Sequence, residues 1–108
     1  MTTTFDKREE GFENMFAHDE EARFKAIARR NKMLGVWAAR ELGLSGADAE
    51  AYSKDVVLAE FEQGGDEEVF RKLRKDFDAK GIKQSDQQIR TMMASLLQEA
   101  AAQIKAGK

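Results

Sequence analysis

At 108 residues and a net charge of −2, the chain suits one domain with a modest core, and the absence of cysteine excludes a disulfide scaffold, a thiolate nucleophile and a cysteine metal site. Apolar residues make up 42% and charged residues 35%, there is no proline, and no apolar run approaches the length of a membrane-spanning helix. Acidic residues at 6, 9, 10 and 13 leave no basic-then-apolar signal sequence, so the expected setting is cytoplasmic, with no direct membrane insertion.

In chain order, the first stretch is FDKREEGFENMF, residues 5–16. On a helical projection Phe12 and Phe16 fall about 20° to either side of Phe5, so the three rings form one narrow seam on an otherwise charged segment. Gly11 interrupts it, and a central glycine costs about 1 kcal/mol of helix stability, so the seam needs a partner surface.

Asp19 then caps a helix that runs to Gly43, with Glu20 and Glu21 in its first turn. Its expected buried face holds Phe24, Ile27, Leu34, Trp37, Ala38 and Leu42, and Gly35 permits close helix approach. Ser45, with Asp48 three residues on, opens a second helix that presents Tyr52, Val56, Val57, Leu58 and Phe61 before Gly64-Gly65. A third begins at Asp66, presents Val69, Phe70, Leu73 and Phe77, and stops at Gly81; Ser85 and Gln88 box the start of a fourth through Ile89, Met93, Leu97 and Ile104. Short connections favour antiparallel neighbours, so the expected fold is all-α: a four-helix bundle over residues 19–108, with residues 1–18 outside it as a mobile segment.

Enzyme chemistry finds no foothold. There is no phosphate loop, dinucleotide fingerprint, zinc-protease motif or nucleophile elbow, and a single histidine, His18, excludes a multi-histidine metal site. Adjacent acids such as Glu67-Glu68 sit in a helix's first turn, where they complement the dipole. Residues 23–40 carry six basic and no acidic side chains, whereas 48–68 carry eight acidic and one basic. These segments either attract one another or meet different partners. The first option makes the basic run a bundle surface; the second makes the chain a helical nucleic-acid-binding or regulatory adaptor that uses its basic first helix.

The stretch FDKREEGFENMFAHDEEARFKAIARRNKMLGVWAARELGL, residues 5–44, resembles the zeta-subunit family of inhibitors of the alphaproteobacterial F-type ATP synthase, in which a DKREEGFE…KFAHDEE…F…ARRNK…G.WAA…LG pattern recurs. The resemblance continues more loosely through the remaining helices, and Met15 stands where the family often has lysine. It implies a non-enzymatic inhibitor whose N-terminal segment enters an interface between alpha and beta subunits and reaches toward gamma. In that reading Phe5, Phe12 and Phe16, with Arg8 and Glu9, contact the partner. The resemblance further implies a location peripheral to the inner membrane through the synthase. It requires no cofactor or metal, but implies ADP or ATP as a regulatory ligand, for which Arg29, Arg30 and Lys32 offer the nearest cations.

Overall fold

A computed structural model of the protein describes residue 16 and residues 18–108. Among these residues there are four helices and no strand: α1 (Glu20–Glu41), α2 (Gly46–Ala59), α3 (Asp66–Lys80) and α4 (Asp86–Lys105). The expected all-α bundle is the observed architecture.

The helix ends follow from local chemistry. Asp19 accepts a hydrogen bond from the Ala22 amide at 3.0 Å, satisfying one of the free donors of the first turn of α1. Ser85 and Gln88 form the anticipated reciprocal capping box at the start of α4. Gly81 closes α3 at a φ of 69°, a left-handed conformation that favours glycine. The expected Ser45 cap of α2 does not form: its side chain makes no capping bond, and Asp48 supplies only negative charge in the first turn.

Helix α1 packs along both α2 and α4, and α3 closes the bundle through smaller contacts with the same two helices. Gly35 sets the α1–α2 spacing. A Cβ there would lie 2.6 Å from the Cα of Ser53, and the close approach lets the Ser53 hydroxyl donate to the Lys32 carbonyl at 2.9 Å. The main core joins Leu34, Ala38 and Leu42 of the first helical segment to Val56, Val69, Leu73, Phe77, Ile89 and Met93. Trp37, expected to be substantially buried, is only partly so; its ring meets Phe77 edge-on at 5.6 Å.

Two differences from the sequence expectation concern phenylalanines. Phe24 and Phe61 are 56% and 63% exposed rather than buried, lying tilted against one another at 5.9 Å. Phe24 projects about 180° around α1 from the midpoint of Ala22 and Ala26, the side on which α4 packs. Phe16 shows the reverse. Placed outside the bundle by a boundary at residue 18, it is 5% exposed and belongs to a second cluster with Ala26, Leu97 and Ala101, flanked by Ala22, Ile27 and Ile104. The turn that delivers it is fixed by the Asp19 amide, which donates to the Phe16 carbonyl at 3.2 Å.

Phe16→Ala is therefore expected to destabilise the bundle by about 3 kcal/mol, measured as a lower urea midpoint. Removing residues 1–18 takes away the same ring and should lower the midpoint as well, instead of leaving the bundle unaffected.

Candidate binding sites

The basic face of α1 does not present Arg29, Arg30 and Lys32 as one exposed cluster. Arg30 is turned inward and 1% exposed. Its Nε donates to the Asn31 side-chain carbonyl at 2.7 Å, its Nη1 to the Met93 backbone carbonyl at 3.4 Å, and its Nη2 to Asp66 at 2.6 Å, with Glu60 at 3.5 Å. Asn31, also buried, donates to Glu60 at 2.8 Å. A single guanidinium thus ties α1 to α4, to the start of α3 and to the α2–α3 connection. That geometry consumes the donors a phosphate would need.

Arg29 is committed elsewhere: Nη2 donates to the Lys108 carbonyl at 2.7 Å and Nη1 to Gln103 at 3.2 Å, so it fastens the end of α4 to α1. Lys32 alone of the three has an exposed side chain without an ion-pair partner among the described residues. Among the described residues, the ion pairs that join the basic 23–40 run to the acidic 48–68 run are those of buried Arg30 with Glu60 and Asp66. That polar cluster is the feature sequence reasoning missed, and the opposed charge runs were its signal.

The two carboxylates around Arg30 divide the work unequally. The short bond goes to Asp66, which is half-exposed and remains hydrated on its outer side. Glu60 is pushed up to about 7, foremost by burial and next by its hydrogen bond to Asp66; Asn31 and Arg30 oppose the shift without cancelling it. On the other side of the bundle, Tyr52 donates to Asp76 at 2.7 Å and lies under Lys72, and burial together with Asp76 holds its hydroxyl protonated. Arg90 forks onto both oxygens of Glu67 and covers the Phe70 ring, clamping α4 to α3.

Of the residues expected to contact a partner, Phe5, Arg8, Glu9 and Phe12 lie outside the described residues. Phe16 is described, and it is a core residue of the bundle. Among the described residues no cluster of acidic or histidine side chains is suited to a metal ion, and no helix is long and apolar enough to cross a membrane.

A family model, ATPase inhibitor subunit zeta, matches residues 1–103. The chain belongs to that family. Membership of the zeta family makes it an inhibitor subunit of an ATPase, and the match spans the seam-bearing segment together with the bundle. A protein solved by solution NMR is 42% identical to this zeta-family chain, with a TM-score of 0.68 across 80% of this chain and 98% of the other. No curated protein matches it.

The sign of the pH dependence follows from Glu60. Its folded-state value lies above the ordinary 4.5, so its proton favours the folded state. The corresponding stability is fully present below about 4.5 and is lost as the pH rises through about 7. Thermal denaturation followed by circular dichroism should give a lower midpoint at alkaline than at mildly acidic pH, and Glu60→Gln should flatten that slope.

Proposed function

We propose that the protein inhibits ATP hydrolysis by the F-type ATP synthase by placing its N-terminal segment in an interface between alpha and beta subunits, near gamma. The observation that carries this reading is the family match from residue 1, which takes in the aromatic segment as well as the bundle. A segment with an aromatic seam and no core of its own gains stability by folding onto a partner. Each phenylalanine buried there contributes about 1.5–3 kcal/mol before ordering costs are subtracted.

Phe5 and Phe12 are the anchors in this account, with Arg8 and Glu9 orienting them. Phe16 is occupied inside the bundle and links the segment to α1 and α4. The wedge opposes the opening and closing of a catalytic interface, so hydrolysis stops without any contact with the reacting phosphate. Rotation in the synthesis direction pushes it out. The protein then resides at the inner membrane through the synthase. A regulatory ADP or ATP at the α1 cations rests chiefly on Lys32, because Arg30 is enclosed and Arg29 holds the end of α4.

The decisive measurement is ATP hydrolysis by the cognate catalytic head with increasing amounts of protein. Phe5→Ala with Phe12→Ala should weaken inhibition by about ten-fold or more, with the melting curve unchanged. Full inhibition by that variant, or strong salt-dependent binding to DNA in place of inhibition, overturns the reading.

A further inference from the structure

The most exposed large apolar side chains among the described residues are Phe24, Val36, Leu58 and Phe61, and all four lie on α1, α2 or the turn that follows α2. Their arrangement is ordered. Phe24, Lys32 and Val36 succeed one another along α1, and Phe61, Leu58 and Lys54 run back along the α2 side. The helices run antiparallel here, since Phe24 meets Phe61 and the Lys32 carbonyl meets Ser53. Leu58, one turn before Phe61, joins the aromatic pair to the groove beside it, whereas Val36 lies about 120° around α1 from Phe24 and is not part of its lining. At one end of this strip is the aromatic pair, and beyond it the groove, of about 350 Å³ and lined by Lys32, Lys54, Val57 and Leu58, with Ser53 and Glu50.

Isolated exposed apolar residues need no explanation, but this clustering does. An exposed aromatic pair in a chain this rich in charge is a surface awaiting cover. Lys32 and Lys54 identify what covers it. Both are exposed, both border the apolar floor, and neither has an ion-pair partner among the described residues. Glu50 at the far edge offsets one of them, leaving an excess positive charge beside the apolar strip. A groove between antiparallel helices, apolar along its length and cationic at its middle, is complementary to an amphipathic helix with apolar anchors and an acidic flank. Lys32 lies about 12 Å along α1 from Phe24, so the partner's acidic residue stands roughly two turns from its principal apolar anchor.

We infer that the α1–α2 strip of Phe24, Phe61, Leu58, Lys32 and Lys54 is a second docking surface, through which the bundle holds an acidic amphipathic helix of the catalytic head while the N-terminal segment acts at the interface. The inference rests on the inhibitor reading above and assigns to the bundle a share of the affinity. Two separated contacts on one chain raise the effective concentration of the second once the first is made.

Full-length protein is titrated against the immobilised catalytic head of the cognate ATP synthase, with hydrolysis measured in parallel. Two double variants are compared with wild type: Phe24→Ser with Phe61→Ser, and Lys32→Glu with Lys54→Glu. Each should raise the half-saturating concentration by about ten-fold or more while preserving the depth of inhibition at saturation. Both should still melt cooperatively, the phenylalanine pair at a midpoint lowered by loss of the Phe24–Phe61 contact and the lysine pair at the wild-type midpoint, and Lys75→Glu with Lys80→Glu on α3 should leave binding unchanged. Wild type that fails to bind the head overturns the inhibitor reading and this partner with it. Wild type that binds, with both double variants binding equally well, overturns the docking surface alone. A concentration-dependent dimer of wild type, abolished by the phenylalanine pair, assigns the strip to a second copy of the chain and overturns the partner proposed here.

Discussion

The buried guanidinium of Arg30 is the constraint around which the bundle is organised. An arginine removed from water is costly unless each of its donors is used and its charge is balanced. Here the side chain reaches Asn31, Met93, Asp66 and Glu60 at once, so three helices and a connection must hold their places for the charge to be tolerated. The apolar clusters supply most of the favourable free energy, but they are satisfied by many packings of similar volume. The hydrogen-bonded geometry is not. It fixes the register of α1 against the start of α3 and gives the α2–α3 connection a defined path, with Glu60 as the member that retains a proton near neutrality.

The second organising contact lies at the N-terminal end of α1. Phe16 packs against Leu97 and Ala101 of α4, so the proposed inhibitory segment joins the bundle at a fixed point. On the proposed mechanism, a segment tethered at Phe16 has its base already oriented, which lowers the ordering cost of binding relative to a free peptide. The same ring gives the bundle an interest in the segment's conformation: if Phe16 were drawn out, the hydrophobic cover over the α1–α4 seam would be lost along with it.

Helix positions were legible in the sequence because they depend on local chemistry: the Asp19 cap, the Ser85–Gln88 box, the glycine after Lys80 and the apolar spacing of α3 and α4. Gly35 was legible as a point of close helix approach, but its partner Ser53 was not, because that contact is tertiary. Burial of particular phenylalanines was not, because periodicity defines a face without saying which neighbour covers it. Phe24 lies on the apolar side of a projection but away from α4, whereas Phe16, in a polar stretch, is placed over α4 by a turn. Arg30 was misassigned for a related reason. Composition shows that a basic run and an acidic run exist, but which cation enters the interior depends on the convergence of Asp66 and Glu60 from beyond α2. The proposed partner residues at 5, 8, 9 and 12 lie outside the described residues, and the proposal draws on the aromatic seam and the family resemblance.

The edge-on contact between Trp37 and Phe77 has a spectroscopic consequence. Trp37 is the chain's only tryptophan, and it reports on the main core, about 16 Å along α1 from Ala26 of the Phe16 cluster. Intrinsic emission will therefore follow global unfolding while remaining nearly silent when the Phe16 cluster opens by itself. A transition that looks all-or-none by fluorescence can conceal a separate, earlier loosening at the α1–α4 end, visible only to an optical label placed there or to amide exchange.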